Sequence, residues 1–336
     1  MNHTPDAPPT SSNVPPALQN GSPDPGMLSR ARGCLLGQLA GDSLGSQVEF
    51  LDPVTLRERF PDGMRRHFDS PVWKTLAGQP TDDSEMALML ARSIVEQGGF
   101  VANEVRKAYV YWMKSIPVDV GRTVGMGLSG TPNPQSQANG ALMRISPLGI
   151  FGARHPLKTV ARWAAEDARI THPHRVCQQV NQLFAMAIAH AVRVGCTADE
   201  LYRLIVEWAH DLQADESILE VIEYAASMPP VDFMHLQGWV LIAFQNALFR
   251  LTHSTGPEEA IVETIMGGGD TDTNGAICGA LLGAVHGLES IPEAWVSTIL
   301  SCRPAAGAPG VQRPRPECFW PVDALDLVEK LLTITV

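Results

Sequence analysis

Apolar residues recur at intervals of three and four along most of the chain after Leu28, which predicts amphipathic helices. The pattern is clear in "SEMALMLARSIVEQ", "CQQVNQLFAMAIAHAVRV" and "DELYRLIVEWAHDL". Glycine and proline separate about a dozen such segments, and convincing alternation with a period of two is missing. The sequence therefore predicts a single all-α domain over residues 28–336, without a solenoid-like repeat.

The first 27 residues differ from the rest in composition. Residues 1–27 contain seven prolines among Ser, Asn, Asp and Thr. Such a mixture buries too little apolar surface to offset the entropy lost on ordering, so we expect a disordered tail. Its role is open between a solubilising extension and an arm that orders on binding a partner.

Two of the predicted helices carry glycine at every fourth position. An interior glycine costs a helix about 1 kcal/mol relative to alanine, so its repetition indicates that another backbone approaches closely. Polar residues within both segments argue against a membrane-spanning pair. We expect the two helices to cross at the centre of the domain, with functional groups at their ends. The glycines are Gly33, Gly37, Gly41 and Gly45 in one segment and Gly275, Gly279, Gly283 and Gly287 in the other.

Composition and charge narrow the class of protein. The chain of 336 residues is 45% hydrophobic and 18% charged. No apolar run approaches the ~20 residues of a membrane span. A formal net charge of -11 without a Lys/Arg cluster argues against nucleic-acid binding. The six cysteines are scattered, and the start lacks a secretory pattern. We expect a soluble cytoplasmic protein with reduced thiols and no membrane contact.

Two short acidic motifs each precede a predicted helix. "DTDT" contains Asp270 and Asp272, and "TDDSE" begins at Thr81. Each motif alone is compatible with helix capping, and Asp82 with Glu85 fits a capping box. If both motifs face one site, their carboxylates repel one another and need cations such as Mg²⁺ or Mn²⁺, which prefer oxygen ligands. Two ions that share aspartates would also activate water.

Other motifs provide further candidates. Glu49 follows the first glycine helix, and the predicted crossing would carry it to the acidic motifs. "GMGLSG" lacks the strand of a dinucleotide fold, which leaves a flexible turn or a loop whose amides face a phosphate. Asn139 and Gly140 precede a short predicted helix that is a candidate anion site. Two roles are open for His172, in "THPHRVC": stacking on a ring, or a place at a helix start. The surroundings of His172 do not fit a zinc site.

Five motifs follow one another along the chain: "GCLLGQLAGDSLG", "TDDSEMALMLA", "ANGALMRISPLG", "THPH" and "GGGDTDTNGAICGALLGAVHG". Together they resemble the ADP-ribosylglycohydrolase family over about residues 28–305. The resemblance implies a compact, single-domain orthogonal helical bundle with a binuclear Mg²⁺ or Mn²⁺ centre. It also implies a hydrolase that acts on ADP-ribosylated proteins and releases ADP-ribose.

The resemblance also assigns residues to roles. The implied metal ligands are Thr81, Asp82, Asp83, Asp270, Asp272 and Thr273. Glu49 matches a mobile acidic residue near the first metal. We expect Asp83 or Asp272 to position or deprotonate water, with Glu49 as the other candidate acid or base. The implied substrate contacts are Gly125 and Gly127 at the pyrophosphate, Ser136, Asn139 and Gly140 at a ribose, His172 at the adenosine end, and in addition Gly268 and Gly269.

One position departs from a branch of the family. Members that reactivate nitrogenase reductase carry Asp where this chain has Ser136, which argues against a role in nitrogen fixation. We expect cleavage of the bond between ribose and an arginine side chain, and leave open direct water attack and a ring-opened intermediate. Two other interpretations remain: a non-catalytic, crystallin-like or ADP-ribose-binding protein, and a tail that blocks an ADP-ribosyltransferase toxin whose product the enzyme removes.

Overall fold

The computed structural model describes residues 23–334 as 15 α-helices, and no strand occurs within that range. The prediction of an all-α fold is confirmed. The helices are α1 (Pro25–Gly45), α2 (Pro53–Arg59), α3 (Asp82–Gln97), α4 (Ala102–Lys114), α5 (Arg122–Leu128), α6 (Ser146–Gly152), α7 (Leu157–Arg169), α8 (Arg175–Val194), α9 (Ala198–Asp211), α10 (Glu216–Ala225), α11 (Val240–His253), α12 (Pro257–Ile265), α13 (Thr271–His286), α14 (Glu293–Ser301) and α15 (Ala324–Thr333).

The first helix begins inside the segment predicted to be a tail. α1 starts at Pro25, and the side chain of Asp24 accepts a hydrogen bond from the amide of Met27 at 3.0 Å. Met27 is itself buried in the core. Residues 1–22, which make up most of the predicted tail and of its proposed toxin-blocking arm, lie outside the described residues, so both remain predictions.

α1 and α13 pack backbone against backbone, as the glycine pattern predicts. A Cβ atom on Gly33 would lie 2.5 Å from the carbonyl oxygen of Gly283, and one on Gly41 would lie 2.0 Å from that of Gly275. Ordinary contacts of carbon lie near 3.5–4.0 Å, so any larger residue at these positions would force the helices apart. Because ascending positions on α1 meet descending positions on α13, the two helices are antiparallel. The end of α1 therefore lies beside the start of α13.

This helix pair is buried at the centre of the molecule. α3, α6, α8, α11 and α12 pack around it, and most residues of α8 belong to the same apolar core. Their apolar faces, spaced at three and four residues, bury against the pair. Within residues 23–334, no helix has the length and hydropathy that a membrane crossing requires.

The C-terminal segment anchors α3 through a buried ion pair. Arg315 contacts both carboxylate oxygens of Glu85 at 2.7 Å, and the indole N–H of Trp112 donates to the same carboxylate at 2.8 Å. The side chain of Glu85 is therefore committed to the interior. The capping box predicted for Asp82 and Glu85 is wrong, because the Glu85 carboxylate is paired with Arg315. The sequence alone does not show that an arginine 230 residues away reaches this helix.

Candidate metal and substrate site

Three helix ends converge at the site. The chain leaves α1 through a turn that carries Glu49, α3 begins at Asp82, and α13 begins directly after Asp270. Glu49, Asp270 and Asp272 each place a carboxylate oxygen within 4.8 Å of the others. The antiparallel packing of α1 and α13 causes this convergence. The sequence prediction that the glycine crossing carries Glu49 to the "DTDT" motif is confirmed.

A buried carboxylate that the sequence reasoning missed holds the start of α3 in place. Asp42, on α1, accepts hydrogen bonds from the amides of Thr81 and Ser84 at 3.1 Å and from the Thr81 hydroxyl at 2.9 Å. Burial raises the pKa of Asp42 to about 6, although these hydrogen bonds act in the opposite direction. The cap of α3 thus comes from another helix. This bond network fixes the acidic first turn of α3 relative to α1.

The carboxylates of the site lie in a strongly acidic environment. Burial raises the pKa of Asp82, Asp83 and Asp272 well above the usual range, and neighbouring carboxylates raise each of them further. Burial and the charge of Asp270 raise the pKa of Glu49 to about 8. One oxygen of Asp83 is buried without a hydrogen-bond partner among residues 23–334. Such a cluster is unfavourable as a set of anions unless a cation compensates it.

The donor set fits a hard divalent cation. Arg315 and Arg144 are buried, but each already forms an ion pair, Arg315 with Glu85 and Arg144 with Asp167. Carboxylates with the hydroxyl of Thr273 at the edge of the cleft are oxygen ligands of the kind that Mg²⁺ and Mn²⁺ prefer. The group formed by Glu49, Asp270 and Asp272 can therefore hold a metal ion.

The turn after α1 is tied to the glycines before α13. The Phe50 amide donates to the carbonyl of Gly269 at 2.8 Å, and the Gly269 amide donates to Leu51 at 3.2 Å. Gly268 and Gly269 have φ values of +79° and +74°, and a Cβ on them would lie 2.6 Å and 2.2 Å from carbonyl oxygens of Leu51 and Phe233. They do not line the cleft. A left-handed backbone in close contact with other chain segments explains both glycines, and their contact with the substrate stays a prediction.

An open cleft of about 320 Å³ lies over the carboxylates. Asn139, Gly140 and His172 line it together with Glu49 and the acidic residues, so five of the sequence-derived motifs meet at one place. The side-chain amide of Asn139 donates to Asp270 at 2.7 Å. After Gly140 the chain turns before α6 begins at Ser146, so the short helix expected there starts later than predicted. The cleft has the size of a small-molecule site.

The "GMGLSG" motif is helical rather than a flexible turn. The amide of Gly125 donates to the carbonyl of Gly121 at 3.0 Å within α5, so it is not available to a phosphate. Gly127 packs against Thr171, where a Cβ would lie 2.5 Å from the Cα atom. The cleft is lined instead by the start of α5, residues 121–124. The structure thus places neither Gly125 nor Gly127 at the cleft wall, and their contact with a pyrophosphate stays a prediction.

Ser136 stands behind the wall of the cleft. Its hydroxyl forms a hydrogen bond of 2.7 Å with that of Thr123, which does line the cleft. Ser136 itself is not among the lining residues. The contact of Ser136 with a ribose stays a prediction, and what the structure shows is that Ser136 helps to position Thr123.

A buried network supports His172. Arg144 is fully buried, pairs with Asp167 at 3.1 Å, and donates to the hydroxyl of Thr171 at 3.0 Å. Because the oxygen of the Thr171 hydroxyl accepts from Arg144, its hydrogen can be donated to Nδ1 of His172, which lies 2.7 Å away. Burial, and then the charge of Arg144, lower the pKa of His172 to about 3. A hydroxyl that donates to Nδ1 leaves the ring proton on Nε2, which has no hydrogen-bond partner among residues 23–334.

Asp119 was not recognised from the sequence. It is half-buried in the loop before α5, lines the cleft, and raises the pKa of Asp82 and Glu49. Arg315 donates to the backbone carbonyls of Ser115 and Ile116 and thereby holds this loop. No local pattern around "IPVDVG" could have indicated this position, because an arginine distant in the sequence fixes the loop.

The sequence profile of the ADP-ribosylglycohydrolase family matches residues 23–310. The chain belongs to this family. A solved structure entitled "ADP-ribosylglycohydrolase-related protein complex" superposes with a TM-score of 0.74 at 25% identity, covering 91% of this chain and 99% of that one. The matched residues include the central helix pair, the acidic helix starts and the residues that line the cleft.

Three curated relatives have similar lengths. The ADP-ribosyl-[dinitrogen reductase] glycohydrolase of Rhodospirillum rubrum is 30% identical, with 82% of this chain and 92% of the relative covered. The ADP-ribosylarginine hydrolase Tri1 of Pseudomonas putida is 28% identical, with coverage of 91% and 82%. Human ADP-ribosylhydrolase ARH3 is 26% identical, with coverage of 80% and 88%. This chain is thus an ADP-ribosyl glycohydrolase, which confirms the prediction of an enzyme that hydrolyses N-glycosidic bonds.

Proposed function

We propose that this enzyme removes ADP-ribose from arginine side chains of modified proteins and depends on two Mg²⁺ or Mn²⁺ ions. The observation that carries the proposal is the convergence of Glu49, Asp270 and Asp272 within 4.8 Å at the base of the cleft. The name of the Pseudomonas putida relative, an ADP-ribosylarginine hydrolase, supports the arginine linkage.

The ions would be held by the two acidic helix starts. Their ligands would be Thr81, Asp82, Asp83, Asp270, Asp272 and Thr273. Divalent ions, when bound, supply positive charge that orients hydroxyl groups and makes water more acidic. They also explain how an acidic cleft accepts a diphosphate.

The protein's own groups would position the substrate and move protons. Asn139 fixes the carboxylate of Asp270 through its hydrogen bond, which orients that side chain. Glu49 is held by the indole N–H of Trp73 at 2.5 Å, and the turn that carries it is tied to Gly269. Held in this way, Glu49 can exchange a proton with the bond that breaks or with water, while Asp83 or Asp272 positions the water.

Asp119 favours a cationic leaving group. Asp119 lines the cleft, and no cationic side chain within residues 23–334 forms a salt bridge with its carboxylate. A guanidinium group is planar and positively charged, and it binds carboxylates through paired hydrogen bonds. The serine linkage lacks this charge. An arginine-linked conjugate would therefore gain an interaction at Asp119 that a serine-linked one would not.

The test compares two substrates in the presence and absence of a chelator. We expect release of ADP-ribose from an arginine-linked protein with Mg²⁺ or Mn²⁺, little release from a serine-linked protein, and none with chelator. The variant Asp119→Asn should raise KM several-fold for the arginine-linked substrate alone. Equal turnover of both linkages, or activity that survives chelation, would contradict the proposal.

A further inference from the structure

Three loops that border the cleft each expose one large apolar side chain. Phe50 lines the cleft itself, Ile116 precedes Asp119 by three residues, and Leu236 directly precedes Gln237. Their exposed fractions are 51%, 87% and 63%. Since a chain advances at most ~3.6 Å per residue, each of them stands within about 11 Å of a residue that lines the cleft. Phe50, Ile116 and Leu236 are called the apolar rim below.

The three loops carry a large share of the exposed apolar side chains. Of the eleven large apolar residues that are exposed within residues 23–334, three form the apolar rim, and Val231 and Met234 stand in the same loop as Leu236. Single exposed apolar residues scattered over a surface need no explanation. A concentration of them around a polar cleft is typical of a surface that another molecule covers.

The backbone of the apolar rim is held in an unfavourable conformation. Phe50, Ile116 and Leu236 have φ values of +67°, +58° and +55°, and only two other non-glycine residues among those described have positive φ. This region is disfavoured for residues with a Cβ, most of all for β-branched ones such as Ile116. Strain of this kind persists where the surrounding structure enforces it, often at binding sites.

The surrounding structure does enforce it. The amide of Phe50 donates to Gly269 at 2.8 Å, and the carbonyl of Ile116 accepts from Arg315 at 3.2 Å. The carbonyl of Leu236 accepts from the amide of Trp239 at 2.8 Å. The three side chains are therefore presented by fixed loops, which is what a preformed docking surface requires.

We propose that the apolar rim docks the folded protein whose modified side chain enters the cleft. This rests on the proposed function, since a side chain that carries ADP-ribose reaches the carboxylates only while still attached to its protein. The surface around the modified residue must then lie against the loops that border the cleft, and these loops carry the rim. A free conjugate of ADP-ribose fills the cleft alone and does not need the rim. The occupant is thus a protein surface with apolar atoms around the modified residue.

The test separates these two substrates with the double variant Ile116→Asn, Leu236→Asn. Asparagine removes the apolar side chain and tolerates the left-handed backbone, so the loops keep their conformation. With an arginine-ADP-ribosylated protein we expect KM to rise at least tenfold at unchanged kcat, which corresponds to about 1.4 kcal/mol. With free ADP-ribosyl-arginine we expect kcat/KM to stay as in the wild type.

A matched control uses Val194→Asn. Val194 is another exposed apolar residue, near the opposite end of α1, where Arg30 donates to Val192. The 15 residue-to-residue steps from Arg30 to Gly45 span roughly 22 Å of helix. This variant should behave as the wild type with both substrates.

Several results would overturn the docking proposal. An equal loss with both substrates would indicate a structural effect, and an unchanged KM for the modified protein would remove the need for a docking surface. A change in oligomeric mass on light scattering would assign the apolar rim to contacts between copies of this chain. Failure of the wild type to cleave either conjugate would instead refute the proposed function, and the docking proposal would fall with it.

Discussion

The substitution Gly41→Ala inserts a methyl group into the contact between α1 and α13. Its Cβ would lie 2.0 Å from the carbonyl oxygen of Gly275 and 2.2 Å from the carbonyl carbon. Ordinary contacts lie near 3.5–4.0 Å, so the two helices would have to separate by about 1.5 Å at this point. Both partners are backbone atoms, and therefore no rotation of a side chain relieves the clash.

The expected cost follows from this geometry. Overpacking a core costs about 1–3 kcal/mol when side chains yield, and a clash between two backbones lies at the upper end of that range. Alanine returns about 1 kcal/mol through its higher helix propensity. The net loss in the free energy of unfolding is then about 2 kcal/mol. With an unfolding entropy of about 2.1 cal/mol/K per residue over about 310 ordered residues, the melting temperature should fall by about 3 °C.

Thermal unfolding followed by circular dichroism, with and without MnCl₂, measures this effect. Gly99→Ala is the matched control, because a Cβ at Gly99 meets nothing within 4 Å and its φ is not positive. Separated helices should also spread Glu49 from Asp272, so that Mn²⁺ raises the melting temperature of Gly41→Ala less than that of the wild type. Equal stability and equal metal response in the two alanine variants would refute the packing argument.

Three further predictions follow from the same structure. Asp272→Ala should abolish turnover and the thermal shift with Mn²⁺ while the protein stays folded by circular dichroism; normal activity would contradict the site. Because burial lowers the pKa of His172 to about 3, the folded state resists protonation. The contribution of His172 to the free energy of unfolding is then complete above pH 6.5. It is lost as the pH falls from 6.5 toward 3, because the unfolded chain binds the proton first. NMR should find its ring neutral at pH 5, and titration near 6.5 would count against this. Removal of residues 1–22 should leave the melting temperature unchanged, whereas removal of 1–27 deletes the cap at Asp24 and should lower it.

The sequence predicted the helix crossing well because a physical requirement left a direct trace in it. Only glycine fits where a Cβ atom would lie 2–3 Å from another backbone. Gly37 and Gly279 therefore identify the place where the two helices touch. The acidic motifs were equally visible, since Asp82 and Asp270 stand at helix starts. Their meeting followed from the antiparallel crossing.

The sequence could not indicate which helix supplies a cap or what a glycine contacts. Asp42 sits within an apolar helical pattern, and its role depends on a helix start 39 residues further along the chain. Gly268 and Gly125 resemble ligand-facing glycines, but the first adopts a left-handed conformation against Leu51 and the second lies inside a helix. Glycine is used for positive φ, for close packing and for ligand contact alike, and one sequence does not distinguish these uses.

The glycine contact and the acidic site are linked energetically. Helix starts stabilise nearby carboxylates by only about 0.3–1 kcal/mol each. Burial, and then the neighbouring carboxylates, raise the pKa values of Asp82, Asp83 and Asp272 well above the usual range. Raised pKa values favour protonated carboxylates in the absence of cations, so we expect metal binding to release protons. A metal present at 100 times its Kd would stabilise the fold by about 2.7 kcal/mol, close to the cost worked out for Gly41→Ala. Because the separated helices also spread Glu49 from Asp272, saturating Mn²⁺ should recover only part of the stability that Gly41→Ala loses. Full recovery to the stability of the metal-free wild type would mean that the helix contact and the ligand spacing are independent of each other.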